Sequence, residues 1–184
     1  MEILLRPFDQ NIHMDSLMEL FRAVQTEAAE AIAASSEDMR DQLTRPNHFR
    51  WVAYWGNTSE ELAGYAVLFH QTPDRCYADI KVHPKWRRNG IGRQLLDRLI
   101  QQATTLTTSH LAIDVTATNK DALRFLLSQG FRYRGDTWAL LTPAGADFPA
   151  PVWPDGYTAR SFDEVQDVSR LVEGSNAGFS DLWG

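Results

Sequence analysis

The residues best suited to chemistry sit in one short stretch, Val82-His83-Pro84-Lys85-Trp86-Arg87-Arg88-Asn89-Gly90-Ile91-Gly92, with Arg93 directly after it. A strand pattern ends at the proline, a short loop follows, and a helical pattern opens at the glycines. The first turn of a helix leaves its N–H groups without intrahelical partners, and the helix dipole adds about half a positive charge at that end. Gly90 and Gly92 carry no side chain that could keep an anion from the backbone, and Arg87, Arg88 and Arg93 add formal charge. Hydrogen bonds to charged groups contribute roughly 1.5–3 kcal/mol each, so three or four approach the roughly −8 kcal/mol of a micromolar ligand before ordering costs are counted. The stretch therefore suits a phosphate-bearing ligand. A P-loop needs a Gly-Lys pair, which the chain lacks. A dinucleotide loop needs a third glycine where Arg93-Gln94-Leu95 stands.

Other reactive side chains are fewer. Asp79 lies on the strand before the loop, between Ala78 and Ile80, and reads either as a general base or as a surface carboxylate. Cys76 is the single cysteine, which excludes an intrachain disulfide and a four-cysteine zinc site; it reads as a small buried hydrophobe. His13, His48, His70 and His110 are scattered, so no metal site is expected, and His83 reads as an exposed loop histidine. The six tryptophans are expected mostly in the core. A net charge of −6 argues against broad nucleic-acid or anionic-membrane binding. Neither a signal peptide nor an apolar run of about 18 residues is visible, and with one cysteine the expected compartment is the cytoplasm.

The elements that must hold the loop follow from periodicity. Residues 2–8 read as a strand, and Leu17, Leu20, Phe21 and Val24 recur at helical spacing. An alanine-rich stretch over 25–35 extends that helix or forms another, and Ser36 starts a helix that stops before Pro46. Residues 49–55 and 62–69 form a hairpin, and 76–82 the next strand. A helix from Gly90 to Ala103 buries Ile91, Leu95, Leu96 and Leu99. Residues 110–116 are a strand, Asn119 to Gln129 a helix closed by Gly130, and 131–134 with 137–142 a final hairpin. The order is β-α-α-β-β-β-α-β-α-β-β, an α/β fold with a mixed sheet and helices on both faces.

The loop resembles the signature of the GNAT superfamily of acetyl-coenzyme A-dependent N-acetyltransferases, Arg/Gln-x-x-Gly-x-Gly/Ala after a Val-x-Pro strand end. Val82, Pro84, Arg87, Gly90 and Gly92 fill it. A second family pattern is met downstream by Asn119, Ala122, Gly130 and Phe131, and the element order is also the family's. The resemblance covers about residues 2–142. It implies a splayed fourth and fifth strand, with the backbone at Lys81 and Val82 free for the pantetheine arm and the acetyl carbonyl. It further implies that the amides of Arg88, Asn89, Gly90, Ile91, Gly92 and Arg93 hold the pyrophosphate and that Asn119 contacts the coenzyme near its thiol. The departure is Leu126, where the family usually carries a tyrosine that reprotonates the coenzyme thiolate; leucine has no proton to give, and Tyr133 lies close in sequence.

Residues 143–156 hold four prolines and read as a linker. Beyond it, residues 157–163 (YTARSFD) echo residues 3–9 (ILLRPFD), again a strand leading into a helix, here over 163–173. The expected organisation is a GNAT domain over 1–142, a linker, and the start of a second GNAT-like domain over 157–184. Val165, Val168, Leu171 and Val172 would stripe its helix. The expected function is acetyl transfer from acetyl-coenzyme A, with no metal, to a small-molecule or peptide primary amine, Asp79 acting as base. The alternative, favoured by Leu126 and the echo, is a non-catalytic acyl-coenzyme A-binding domain of a tandem GNAT protein, an arrangement found in proteins resembling mycothiol synthase. A second copy of the chain or a second GNAT domain is the macromolecular partner expected. Residues 25–50, which would shape the acceptor site, carry no motif.

Overall fold

The computed structural model of the chain describes residues 2–25, 43–45, 48–56, 61–72, 74–137, 145, 147, 149–157 and 168–179. It divides into two compact units, residues 1–133 and 134–184.

The first unit is built on a five-stranded sheet in the order β1-β2-β3-β4-β5. The strands are β1 (Ile3–Pro7), β2 (His48–Trp55), β3 (Leu62–Thr72), β4 (Arg75–Val82) and β5 (His110–Ile113). The first four pair antiparallel, and β4 pairs parallel with β5. Side-chain alternation sends the two faces of β2 in opposite directions. Val52 and Tyr54 join Leu62 and Tyr65 under helix α1 (Gln10–Gln25), where Met14, Leu17, Leu20 and Phe21 meet them. Trp51 and Ala53 join Ala63, Ala66, Leu68, Cys76 and Ala78 under helix α2 (Ile91–Thr105), where Ile91, Leu95 and Leu99 meet them. Leu96, the remaining expected residue of that helix face, is also fully buried. The second face is lined by small residues, and Gly64 shows why. A Cβ there would lie 2.9 Å from Leu95 Cδ1, 3.0 Å from Ile91 Cγ2 and 3.1 Å from the Lys81 carbonyl oxygen. Glycine lets α2 press directly on the backbone of the sheet.

The helix ends are set locally. At the start of α1, the Asp9 carboxylate accepts the Asn11 N–H at 2.9 Å and His13 Nδ1 accepts the Asp9 N–H at 2.7 Å. Helix α3 (Lys120–Ser128) is capped by Asn119, whose side-chain oxygen accepts the Ala122 N–H at 3.1 Å. It ends in a Schellman motif: Gly130 adopts φ +90°, Phe131 N–H donates to Leu126 C=O and Gly130 N–H to Leu127 C=O.

Three expectations differ from the structure. Residues 131–134 form no strand, nor does any residue up to 137, so the first arm of the final hairpin is absent; 138–142 lie outside the described residues. The strand expected over 110–116 stops at Ile113, where its pairing with β4 stops. In the second unit the helix, α4, is described over Val168–Phe179 and continues past the expected end at 173, while 163–167 lie outside the described residues; Val168, Leu171 and Val172 are half or more exposed on it. The second helix expected before Pro46 is represented by Leu43 and Thr44, Leu43 packing into the α1 core. Residues 26–42 and the strand expected over 157–162, apart from Tyr157, lie outside the described residues.

Candidate active site

The parallel ladder between β4 and β5 runs from Arg75↔His110 to Ala78↔Ile113 and ends there. β4 continues four residues further, to Val82. Past Ala78 the two strands therefore enclose a wedge whose apex is at Asp79. Strand alternation decides which backbone groups line it. His83 N–H donates to Ala63 C=O, toward β3, so the backbone groups of Lys81 and Asp79 also turn toward β3. Those of Ile80 and Val82 turn toward the wedge. This corrects the sequence expectation at Lys81, whose backbone belongs to the β3 ladder. Ile80 takes its place on the open edge, and Val82 stays there, its carbonyl accepting Arg87 Nε at 3.3 Å.

Beyond the wedge the chain makes a short 3-10 turn, Pro84–Trp86, and enters α2. Arg88 and Gly90 both adopt left-handed backbone, φ +66° and +87°. Positive φ at an arginine costs on the order of 1–3 kcal/mol, and such strain concentrates at functional loops. Left-handed residues at the entry to a helix curl the chain, which turns neighbouring N–H groups toward one concavity. Asn89 Nδ2 donates to the carbonyls of Trp86 and Arg87, both at 3.1 Å, and holds that curl. At Gly92 a Cβ would meet Val82 Cγ2 at 3.6 Å and Phe125 Cζ at 3.8 Å. A side chain there would sit in contact with both β4 and α3 and fill the gap between them. Arg88 and Arg93 are exposed at its rim, while Lys85 is committed to Glu61 at 2.8 Å and lies over the Trp86 ring.

The α1 face carries the second half of the site. Asp79 and Lys81 project there, bonded to each other at 2.6 Å, with the Asp79 side chain 45% exposed. Pairing aligns three rows across β2, β3 and β4: Val52–Tyr65–Lys81, Arg50–Val67–Asp79 and His48–Phe69–Tyr77. Phe21 of α1 packs edge-on against Tyr65 in the first row. Burial pushes the Tyr65 phenol far above its usual range; Arg50, which hydrogen-bonds it, works the other way, and the Asp79 charge adds to the rise. That phenol is a poor proton donor.

The remaining expected site residues fall as follows. Asn119 stands at the α3 N-terminus with its oxygen used as the cap, leaving its amide NH2 to face outward. Leu126 is 7% exposed, and Tyr133 is 68% exposed at the end of the first unit. His83 is not an open loop histidine: its Nδ1 accepts the Lys85 N–H and its Nε2 lies 3.8 Å from Glu61. Cys76 is fully buried. Of the tryptophans, Trp51 is in the core, Trp55 and Trp86 are half-buried against each other, Trp153 is exposed, and 138 and 183 lie outside the described residues. Ile80 and Phe125 were not singled out in the sequence; the motif reading marks neither a strand's phase nor a helix's rotation. Among the described residues no group of three or more His, Cys, Asp or Glu is placed to hold a metal ion, and no helix is long and apolar enough to cross a membrane.

Comparison with known proteins bears on this geometry. The chain is 33% identical over 123 residues to a mycothiol acetyltransferase of Stackebrandtia nassauensis, covering 65% of this chain and 39% of that one. It is 32% identical over 121 residues to the mycothiol acetyltransferase of Salinispora arenicola, covering 65% and 38%. The match thus spans about two fifths of the length of these curated relatives. Among solved structures, the PaiA N-acetyltransferase of Thermoplasma acidophilum in complex with coenzyme A superposes with a TM-score of 0.64 at 16% identity, over 74% of this chain and 94% of that one. AAC(6')-Iy in complex with a bisubstrate analogue superposes at 0.60 and 13% identity, over 78% and 100%. At such identities these two show the fold alone. Residues 14–131 match the profile of the Acetyltransferase (GNAT) family, and that span is well over half of the sequence: the chain belongs to the GNAT acetyltransferase family.

Proposed function

We propose that the first unit binds acetyl-coenzyme A along the β4–β5 wedge and transfers its acetyl group to a primary amine approaching from the α1 face. The observation that carries this reading is the coincidence of the wedge apex with Asp79. The β4–β5 ladder gives way at the strand position bearing a carboxylate, and the same strand runs on to the arginine-rimmed helix N-terminus. The fit is favourable. Gly92 leaves a cradle that a Cβ would fill, and the wedge edge of Ile80 and Val82 offers backbone donors and acceptors to an amide-bearing arm. The amides of Arg88 to Arg93 would hold a pyrophosphate.

The bound thioester would supply an activated acetyl group. The chain's own part is positioning, polarisation and proton removal. An alkyl amine is mostly protonated at neutral pH and costs about 4–5 kcal/mol to neutralise. Asp79 accepts that proton, directly or through water. The Lys81 ammonium, bonded to the same carboxylate at 2.6 Å, holds it in place on the strand. The Ile80 N–H, turned into the wedge beside the apex, is the donor placed for the developing oxyanion. As the C–N bond forms and the C–S bond breaks, the departing thiolate must take a proton, and Leu126 has none to give. Solvent or Asp79, once protonated, supplies it.

A second reading, a coenzyme-holding domain without its own turnover in a tandem GNAT protein, is favoured by Leu126. The relatives' mycothiol activity, a second GNAT-like domain beginning near residue 157 and a cytoplasmic location belong to the same proposal. Calorimetry with acetyl-coenzyme A tests the common part. Gly92→Glu is the informative variant: its backbone φ is ordinary and a carboxylate suits a helix N-terminus, so the fold should persist. The charge would stand in the groove against the pyrophosphate, and binding should be lost. Unchanged affinity in the folded variant overturns the site. A screen of amine acceptors then separates the two readings, since turnover by the first unit excludes a purely holding role.

A further inference from the structure

The α1 face beside Asp79 carries a feature that acetyl transfer does not require. His48, Phe69 and Tyr77 form an aromatic row across β2, β3 and β4, with ring centroids 5.3 Å apart between His48 and Phe69 and 5.7 Å between Phe69 and Tyr77. The Phe69 and Tyr77 rings are nearly parallel, at 15°. All three side chains are half-buried, whereas the rings under α1, Tyr54 and Tyr65, are buried. On β5 the register partner of Tyr77 is Ala112, so the row steps down from a phenol ring to a methyl. That step lies one pair before the ladder ends, next to the wedge apex. Asp79 follows Tyr77 on the same face, two residues along the strand, which is about 6.4–6.8 Å.

A ring face, a small-residue floor and a carboxylate in line describe the molecule that fits. We propose that the acceptor is a primary amine joined through a short chain to a flat ring, with the ring seated beside Tyr77 over Ala112 and the amine at Asp79. The inference rests on the acetyl-transfer reading above. The Tyr77–Asp79 spacing selects the linker: two or three carbons between ring and nitrogen span it, whereas an amine borne directly on a sugar ring falls short. Charge complementarity between the ammonium and Asp79 sets the orientation, and the ring's aromaticity sets the specificity, because an offset-stacked or edge-to-face ring pair gains attraction beyond the area it buries, which a saturated ring does not. Tyr77 is then a specificity-determining residue whose role is separable from proton removal.

The test compares four alkyl amines of similar basicity, 2-phenylethylamine, 3-phenylpropylamine, 2-cyclohexylethylamine and n-butylamine, with glucosamine, a weaker base. The expected result is a kcat/KM at least tenfold higher for the phenyl amines than for the cyclohexyl and butyl amines, with glucosamine poorest. Tyr77→Phe should keep that ratio, and Tyr77→Ala should bring it toward one. Equal rates for phenyl and cyclohexyl amines, or a ratio untouched by Tyr77→Ala in a variant that melts as Tyr77→Phe does, overturn the proposal. Acetyl-coenzyme A binding is measured first by calorimetry, so loss of the coenzyme reading is distinguished from loss of this one. If the coenzyme binds and no amine turns over, saturation-transfer NMR on the loaded chain decides: ring protons of 2-phenylethylamine that contact the protein, and lose contact in Tyr77→Ala, support the site, and no transfer sinks it.

Discussion

Gly64→Ala is the sharpest perturbation the fold allows, because one methyl group is placed against three neighbours at once. Its Cβ would stand 2.9 Å from Leu95 Cδ1, 3.0 Å from Ile91 Cγ2 and 3.1 Å from the Lys81 carbonyl oxygen. Ordinary contact between such atoms begins near 3.5 Å, so each neighbour must give by about half an ångström. Neither side chain has anywhere to go: Leu95 is 0% and Ile91 1% exposed. The carbonyl is part of the β3–β4 ladder. Overpacking of this kind costs about 1–3 kcal/mol. For a unit of this size, one kcal/mol moves the melting temperature by roughly 3–5 °C, so Tm should fall by about 3–15 °C. The same displacement tilts the N-terminal turn of α2, so acetyl-coenzyme A affinity should weaken along with stability. Urea melts of four proteins make the cause visible: wild type, Gly64→Ala, Leu95→Ala and the double variant. Leu95→Ala alone should cost about 2–5 kcal/mol through its cavity. With that room opened, Gly64→Ala should cost about 0.5 kcal/mol or more less than it does alone, a coupling of the size expected for residues in contact, while Ile91 and the Lys81 carbonyl still crowd the methyl. A Gly64→Ala protein as stable as wild type, or a cost that stays the same in the Leu95→Ala background, would refute the close-approach argument.

Asp79→Asn should lower kcat/KM for an amine acceptor by about 10²–10⁴ at pH 7, with the deficit shrinking near pH 10 as the amine loses its own proton; a loss under threefold at pH 7 removes Asp79 as base. Leu126→Tyr should raise any measurable turnover without tightening coenzyme binding, while packing a phenol into a nearly buried position lowers Tm by a few degrees; a fast wild type that the change leaves unaltered shows that protonation of the thiolate already has another source. His13 titrates below its ordinary 6.5 in the folded chain because burial disfavours its charged form, and the Asp9 charge and backbone contact only partly oppose this. A folded value below the unfolded one means that the unfolded chain binds more protons, so the stability due to His13 is complete above pH 6.5 and is lost as pH falls through it. Urea midpoints at pH 7.5 and 5 should therefore differ more in wild type than in His13→Gln, and equal differences would remove His13 from the account.

Two kinds of information were legible in the chain before any tertiary contact was known. Local chemistry was one: Pro84, Gly90 and Gly92 mark a strand end and a helix start within nine residues, and Asn119 and Gly130 bracket α3 as cap and left-handed stop. Each depends on groups only a few residues apart, so spacing alone carries it. Periodicity was the other: the buried faces of α1 and α2 follow from apolar residues three and four apart. Three features were decided by tertiary structure. The phase of β4 could not be read from its own residues. Whether Ile80 or Lys81 turns its backbone to the wedge depends on the partner strand, and it was fixed by the register with β3. The end of β5 at Ile113 depends on where β4 ceases to be within bonding distance, which leaves no mark on residues 114–116. The aromatic row joins His48, Phe69 and Tyr77 from three strands, and only the pairing of those strands makes a surface of residues that in sequence are merely hydrophobic. Motifs write down interactions between near neighbours along the chain; the acceptor face is made between strands, where spacing in sequence no longer measures distance in space.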